Sequence, residues 1–150
     1  MDKIRIILAP TDLSELSLAG INYALELAQS QDAEVILYYV VGIADNWPRD
    51  EFDPVRGLVE DQKHLLERFV RENLSELSAK VKVRQIVEIG VPYKSIVEKA
   101  DEEHVDMIIM STHGRSGFDH MVIGSVTEKV VRRANCPVLS IKPPAVRESV

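Results

Sequence analysis

The amino-acid sequence predicts an α/β fold: a single domain with an open five-stranded parallel sheet and helices on both of its faces. Apolar, β-rich segments alternate along the chain with amphipathic helical patterns, which is typical of successive βα units. The first of these segments is apolar at nearly every position, as expected for a strand covered on both faces. The 150 residues, 45% of them hydrophobic, suffice for one buried core and are too few for two ordinary domains.

The first βα unit contains a short strand and an amphipathic helix. Residues 4–9 form the strand, and we expect Pro10 to end it. Ser14 or Asp12 can cap the helix that follows, because both side chains accept hydrogen bonds from backbone N–H groups. The apolar positions of this helix keep helical spacing and define the face that packs on the sheet. They are Leu18, Ile21, Leu25 and Ala28.

The middle of the chain contains the longest helical pattern. Residues 35–41 form the second predicted strand, and a polar connection follows at residues 42–57. From Leu58 to Leu77, apolar residues keep helical spacing among charged ones, which predicts one long amphipathic helix. Residues 81–89 then alternate in polarity and form the third predicted strand.

Two further βα units complete the predicted sheet. Pro92 lies in the first turn of a helix, where its missing N–H has no energetic cost. Residues 105–110 and 137–141 form the fourth and fifth strands. The helices of these units bury two apolar faces, formed by Ile96, Val97 and Ala100 and by Val126, Val130 and Ala134.

The charge and cysteine counts exclude several classes of protein. The chain has 24 acidic and 18 basic residues and a net charge of -6, whereas a nucleic-acid binder is expected to carry a basic surface. No apolar stretch approaches the ~20 residues that span a bilayer, and the N-terminus has no signal-peptide pattern. Cys136 is the only cysteine, which excludes an intrachain disulfide and fits a reducing compartment. We therefore expect a cytoplasmic protein that binds neither nucleic acid nor membranes.

A glycine-rich segment follows the fourth strand and is the strongest functional signal in the chain. Gly114, Gly117 and Gly124 let the backbone approach a ligand closely, and the last of them opens a helix whose dipole favours an anion. Ser125 adds a hydroxyl for phosphate or for phosphate-bound Mg²⁺, as does Thr127. The segment is neither a Walker A loop nor a dinucleotide-binding fingerprint. The alternative is a flexible loop of no special function, with Ser125 as an ordinary helix cap.

The spacing of this segment resembles that of the universal stress protein family. Its ATP-binding members carry Gly-x-x-Gly, nine residues, and then Gly-Ser or Gly-Thr. Here Gly114, residues 115–123 and Gly124-Ser125 match that pattern, while Ser111 stands at the position of the first glycine. Residues 10–14, Pro-Thr-Asp-Leu-Ser, are similar to another family segment, and residues 90–92 and 136–141 also look like family signatures.

This resemblance implies an adenine-nucleotide site that holds ATP, with Mg²⁺ bound through the phosphates and Ser125 rather than by protein side chains alone. The implied nucleoside contacts are Pro10, Thr11, Asp12 and Val40. The implied phosphate contacts are Ser111, Thr112, His113, Gly114, Arg115, Ser116, Gly117, Gly124, Ser125, Val126 and Thr127.

The resemblance also implies the topology and the assembly. It implies a Rossmann-like sheet with strand order 3-2-1-4-5, of the kind found in adenine nucleotide alpha hydrolases. The domain is expected to cover residues 1–142, followed by a flexible tail at 143–150. Members of the family dimerise by pairing the last strand, which implies a homodimer through Val138, Leu139, Ser140 and Ile141.

Function is then expected to be that of an ATP-binding stress-response protein, acting as a nucleotide-dependent switch or partner-binding module. Two alternatives stay open: an interaction protein of the same fold that binds no nucleotide, and a slow ATPase. His113 is a candidate general base, but no neighbouring carboxylate in the sequence orients it. We therefore predict no catalytic residue and at most weak hydrolysis of ATP.

Overall fold

The computed structural model describes residues 3–43, 56–114 and 123–144. Its strands are β1 Ile6–Thr11, β2 Glu34–Gly42, β3 Lys82–Gly90, β4 Met107–Ser111 and β5 Val138–Ile141. Its helices are α1 Leu18–Gln31, α2 Arg56–Asn73, α3 Ser75–Ser78, α4 Pro92–Glu102 and α5 Ser125–Arg133, and a 3₁₀ turn at Glu15–Ser17 precedes α1. Strand limits differ from the predicted ones by one or two residues, which is the usual uncertainty of element ends. Most of the predicted connection at 42–57 lies outside the described residues.

The five strands form one sheet with the order β3-β2-β1-β4-β5, and every neighbouring pair is parallel. The predicted fold class is therefore confirmed. Helices α1 and α2 pack on one face of the sheet and α4 and α5 on the other. Within the described residues, no helix is both long and apolar enough to cross a membrane.

Two apolar layers, one on each face, hold these helices to the sheet. Successive residues of a strand point to opposite faces, so each of the three inner strands β2, β1 and β4 contributes to both layers. The layer under α1 and α2 contains Ile7, Ala9, Val35, Leu37 and Tyr39 of the strands. The layer under α4 and α5 contains Leu8, Ile36, Tyr38, Val40, Ile108 and Met110.

Strand β1 continues through Pro10, which we expected to end it. Pro10 pairs with Tyr38 of β2, so the prediction was wrong. The Arg5 carbonyl accepts from Glu34 on the β2 side, and the Ile6 carbonyl accepts from Asp106 on the β4 side. The backbone groups of successive residues alternate between the β2 side and the β4 side, so those of even-numbered residues in β1 face β4. The nitrogen of Pro10 therefore faces β4. The ladder with β4 is registered only at Ile7 and Leu8, so the missing N–H interrupts no hydrogen bond.

The predicted long helix is interrupted at Leu74. Helix α2 ends at Asn73 and the short α3 begins at Ser75, because Leu74 leaves the helical conformation with φ -132° and ψ 12°. Its side chain is 2% exposed and joins Leu66 in the core under α2. Burial of Leu74 at this bend redirects the chain toward β3. Leu58, at the start of the pattern, is 42% exposed and lies outside the buried face.

Gly20, near the start of α1, marks the closest approach of a helix to the sheet. A Cβ atom placed there would lie 2.6 Å from the backbone nitrogen of Ser111 and 2.7 Å from the carbonyl carbon of Met110. The Gly20 N–H also donates to the Ser111 hydroxyl at 2.9 Å. Only glycine allows this contact between α1 and the end of β4.

Replacing Gly20 by alanine should therefore destabilise the protein. We expect Gly20→Ala to lower the free energy of unfolding by about 1–3 kcal/mol, because the methyl group forces α1 away from β4. The matched control is Gly57→Ala in α2, where a Cβ would meet no atom within 4 Å. That change should raise the free energy of unfolding by about 0.5 kcal/mol through helix propensity. Urea unfolding measures both, and equal effects of the two variants would contradict the contact.

Candidate functional site

A cleft of about 510 Å³ opens at the carboxyl edge of the sheet, where β1 and β4 diverge. This volume lies within the range of small-molecule sites. Ligands of open parallel sheets bind at such a position, outside the strand ends where the strand order reverses. Most of the predicted site residues line it: Pro10, Thr11, Asp12, Val40, Ser111, His113, Gly114, Gly124, Ser125, Val126 and Thr127.

Of the other four predicted residues, the structure describes only Thr112, which is not among the lining residues. Thr112 is buried, and its hydroxyl hydrogen-bonds Nδ1 of His113 at 2.8 Å. The Thr112 carbonyl accepts from the Gly124 N–H at 2.6 Å. Thr112 thus fixes the positions of His113 and Gly124, both of which line the cleft and form part of its rim. Arg115, Ser116 and Gly117 lie outside the described residues.

The end of β1 forms a tight turn that places Asp12 on the cleft. Oδ1 of Asp12 accepts from the Ser14 N–H at 3.0 Å and from the Ser14 hydroxyl. Ser14 in turn caps the 3₁₀ turn by accepting from the N–H of Ser17. Of the two predicted caps, Ser14 is the one that binds the helix entry, and Asp12 orients it. Thr11 closes the turn, since its hydroxyl pairs with the Ser17 hydroxyl at 2.8 Å.

The end of β4 is fixed by hydrogen bonds of Ser111. Its hydroxyl accepts from Gly20, and its carbonyl accepts from the Thr127 hydroxyl at 2.9 Å. Thr127 is 4% exposed, and its hydroxyl proton is used in the hydrogen bond to the Ser111 carbonyl. The exposed hydroxyl at this helix end is that of Ser125. Ser111 does not have positive φ. Serine at the family's glycine position is therefore unstrained.

The N-terminal end of α5, with its free backbone N–H groups, faces the cleft. Gly124 is the N-cap residue, with extended φ -71° and ψ 155°. The first N–H groups of a helix have no acceptor within the helix, and the helix dipole adds partial positive charge there. Ser125 and Val126, the first two residues of α5, line the cleft. This end of the cleft suits an anion.

The glycines of the rim are required for close approach and not for unusual backbone angles. A Cβ on Gly124 would lie 2.9 Å from the Thr112 carbonyl oxygen, and a Cβ on Gly114 would overlap the Asp12 carboxylate. None of the described glycines has positive φ. The residues after β1 and β4 are therefore packed against each other, and a methyl group on Gly114 would force the Asp12 carboxylate to move.

The opposite end of the cleft is largely apolar, and the sequence analysis missed most of it. Only Val40 was predicted there. The additional lining residues are Ser17, Tyr38, Tyr39, Gly42, Pro92, Ile96 and Met110. Two signals in the sequence identify some of them: Tyr38 lies two residues before Val40 on the same face of β2, and Ile96 belongs to the predicted buried face of α4.

The side chains of Tyr38 and Tyr39 lie on opposite faces of β2, and both of their hydroxyls are hydrogen-bonded. The Tyr38 hydroxyl donates to Oε1 of Glu88 at 2.6 Å, and the Tyr39 hydroxyl donates to Oε1 of Gln62 at 2.9 Å. Burial raises the pKa of Tyr38 far above its ordinary value, and the neighbouring Glu88 carboxylate raises it further. Tyr38 is therefore a neutral, fixed part of the wall.

Comparison with known proteins identifies the family. A family model described as "Universal stress protein family" matches residues 3–142. The chain belongs to the universal stress protein family. Among curated universal stress proteins, MJ0531 of Methanocaldococcus jannaschii is 36% identical, over 92% of this chain and 82% of the relative. MJ0577 of the same organism is 32% identical, over 91% of this chain and 93% of the relative.

Solved structures of universal stress proteins share the fold. UspA from Lactobacillus plantarum superimposes with a TM-score of 0.78 at 23% identity, covering 94% of this chain and 99% of that one. A universal stress protein in complex with cAMP gives a TM-score of 0.69 at 22% identity, over 93% and 98% of the two chains. One from Archaeoglobus fulgidus in complex with dAMP gives 0.63 at 18% identity, over 95% and 100%.

Proposed function

We propose that this universal stress protein binds ATP with Mg²⁺ in the cleft between β1 and β4 and acts as a nucleotide-dependent switch or partner-binding module. The observation that carries the proposal is the two-ended character of the cleft. One end is walled by apolar side chains, and the other meets the N-terminus of α5. A nucleotide has the same two-ended chemistry, with a flat base and an anionic phosphate chain.

The base and ribose are assigned to the apolar end. Tyr38, Val40 and Met110 form a wall on the face of the sheet that carries α4 and α5, and Ile96 faces it from α4. Apolar side chains of this kind bury the faces of a base. Asp12 lines the cleft at the end of β1, with its carboxylate beside Gly114. We assign it, with Pro10 and Thr11, to the nucleoside.

The phosphates are assigned to the helix end. The backbone of Gly114 and the N-terminus of α5, with the exposed Ser125 hydroxyl, offer donors there. Among the described residues, no group of three or more His, Cys, Asp or Glu side chains is placed to hold a metal ion. Mg²⁺ is therefore assigned to the phosphates, with Ser125 as its protein ligand. Arg115, Ser116 and Gly117 are proposed phosphate contacts that lie beyond the described residues.

The relatives solved with cAMP and dAMP support an adenine nucleotide over other anions. Both of those ligands carry the base and the phosphate that the two ends of this cleft suit. Binding without rapid turnover is favoured by the surroundings of His113, since its ring is buried and its Nδ1 is engaged by Thr112. The single Cys136 fits a cytoplasmic location for this activity.

Titration with Mg-ATP tests the proposed function directly. We expect saturable binding of one nucleotide per chain by calorimetry. Thermal unfolding should shift upward, since ligand at 100 times Kd stabilises a protein by about 2.7 kcal/mol. Absence of both heat and thermal shift at millimolar nucleotide would favour the branch of the family that binds none. Rapid steady-state release of phosphate would instead indicate an enzyme.

Substitution of Ser125 separates binding from folding. Ser125→Asp adds a negative charge at the N-terminus of α5, where it favours the helix dipole and should leave the melting temperature equal or higher. The same charge faces the proposed phosphates, and two like charges 4 Å apart near a protein surface repel by about 4 kcal/mol. We expect Kd for Mg-ATP to rise at least about tenfold. Ser125→Asn, neutral and similar in size to aspartate, also loses the hydroxyl but adds no charge, so it should weaken binding by a clearly smaller factor; equal affinities of both variants would place the phosphates elsewhere.

We also propose a homodimer through β5. The sheet ends at β5 on one side and at β3 on the other. Strand β3 carries charged residues, among them Lys82, Arg84 and Glu88, whereas Val138–Ile141 is an uncharged, largely apolar segment. Charged residues protect a sheet edge against pairing, and an uncharged edge invites it. A second copy of the same strand is an occupant of matching length and chemistry.

The outward backbone groups of β5 show which residue a pairing strand would use. The carbonyls of Pro137 and Ile141 accept from Ile108 and Thr112, both at 2.9 Å, and so point toward β4. Because N–H and C=O directions alternate along a strand, Ser140 points its backbone groups away from β4. Its side chain is exposed.

Ser140→Pro should therefore abolish the dimer. The substitution removes an outward N–H and blocks strand pairing, while the hydrogen bonds to β4 remain. Sedimentation should show a monomer for this variant and a dimer for wild type and for the control Ser140→Ala. A far-ultraviolet circular dichroism spectrum like that of wild type will show that the monomer is folded. A dimer that survives Ser140→Pro would mean that another surface pairs the two copies.

A further inference from the structure

Lys99 is a buried lysine in a helix that otherwise buries apolar residues. It lies on α4 beside Ile96 and Ala100, and it is 6% exposed. Its ammonium group donates to Oε2 of Glu88 at 3.2 Å and to Oε2 of Glu102 at 3.1 Å. An ammonium taken out of water destabilises a fold unless such partners surround it. The position therefore calls for an explanation beyond packing.

Glu88 connects this lysine to the wall of the cleft. One carboxylate oxygen of Glu88 accepts from Lys99 and the other accepts from the Tyr38 hydroxyl at 2.6 Å. The Lys99 ammonium also lies 5.8 Å from the centre of the Tyr38 ring, within the range of a cation–π contact. Lys99 thus touches Tyr38 directly and holds its hydroxyl through Glu88.

Lys99 stays charged over the working pH range. Burial lowers its pKa, but the hydrogen bonds to Glu102 and Glu88 outweigh burial, so the net pKa lies above the ordinary value. The network therefore consists of one cation, two carboxylates and a neutral phenol. It is tied to α4 through Lys99 and Glu102, to β3 through Glu88 and to β2 through Tyr38.

The network lies directly behind the apolar end of the cleft. Tyr38 lines the cleft from β2, and Ile96 lines it from α4. Ile96 precedes Lys99 by three residues and so lies on the same face of α4, one turn closer to the cleft. Lys99 joins β2 to α4 at this point. Its contacts therefore set the distance between the Tyr38 ring on β2 and Ile96 on α4.

We infer that Lys99 is a positioning residue for the nucleobase: by joining α4 to Tyr38 and Glu88, it fixes the width of the apolar end and so the choice of base. The inference rests on the proposed function. It assigns base selection to side chains that do not touch the ligand, with Tyr38 and Ile96 as the surfaces that do. A base with extra polar edge groups fits such a wall poorly, because those groups lose water without gaining partners.

A second ion-pair network in the same region provides a matched control. Arg84 of β3 pairs with Glu34, the first residue of β2, and with Glu103, which follows α4, at 3.1 Å. It joins the same three elements as Lys99. It does so near the amino ends of the strands, away from the cleft. Loss of either network weakens the attachment of α4, but only the Lys99 network adjoins the wall of the cleft.

The test compares Kd for Mg-ATP and Mg-GTP in wild type, Lys99→Met and Arg84→Met. The two nucleotides differ only in the base, so the ratio of their Kd values isolates the apolar end. We expect wild type to favour ATP, and Lys99→Met to bring the ratio about tenfold closer to one. Arg84→Met should lower the melting temperature and leave the ratio at the wild-type value.

A second variant covers the case in which Lys99→Met does not fold. Glu88→Gln keeps an acceptor for Tyr38 and removes the charge that binds Lys99, at a side chain that is partly exposed. It should shift the ratio in the same direction by a smaller factor. An unchanged ratio in the variants that fold, or an equal shift in Arg84→Met, would overturn the inference. So would a wild type that binds ATP and GTP equally. A wild type that binds neither nucleotide would overturn the proposed function itself.

Discussion

The separation of β1 from β4 at the carboxyl edge is the constraint on which the site depends. The connections from β1 to β2 and from β2 to β3 cross one face of the sheet, and those from β3 to β4 and from β4 to β5 cross the other. The strand order therefore reverses between β1 and β4. Pro10 fits this gap, because its nitrogen faces β4 and has no hydrogen to donate to a longer ladder. The ladder is registered at Leu8 and Ile108 and not beyond. The residues that line the cleft lie around this opening between β1 and β4.

The rim of the opening is held by backbone contacts that need small residues. Gly20 brings α1 onto Ser111, Gly124 brings α5 onto Thr112, and Gly114 brings the end of β4 onto Asp12. Two of these contacts join elements that are distant in sequence, the third joins the consecutive elements β4 and α5, and none of these glycines has positive φ. A flexible loop would use glycine for conformational freedom, whereas these glycines are used for contact distance. At Gly114 and Gly124 the structure therefore shows close packing, while residues 115–122 between them lie outside the described residues.

The sequence predicts the sheet well because its signals are local. Apolar runs and the alternation in β3 identify the strands, helical spacing identifies the buried faces of α1, α4 and α5, and the family resemblance supplies the strand order. Features that depend on contacts between distant residues could not be predicted in this way. The end of β1 depends on which neighbour Pro10 faces, and the bend at Leu74 depends on a core pocket formed by other elements. Tyr38 and Ile96 look in the sequence like any core residues, and Lys99 looks like an exposed charge.

The two ends of the cleft are built by different parts of the fold. Backbone from β4 and α5 forms the proposed anion end, where any phosphate chain would find the same donors, so we assign affinity rather than selection to this end. Side chains from β2 and α4 form the apolar end, and their spacing depends on Glu88 and Lys99. A ligand that fills both ends would contact α4 and α5 at once. Occupancy can act as a signal only if the ligand interacts differently with two arrangements of the protein. For the proposed nucleotide, the interactions that would have to differ between two such arrangements are its contacts with α4 and α5.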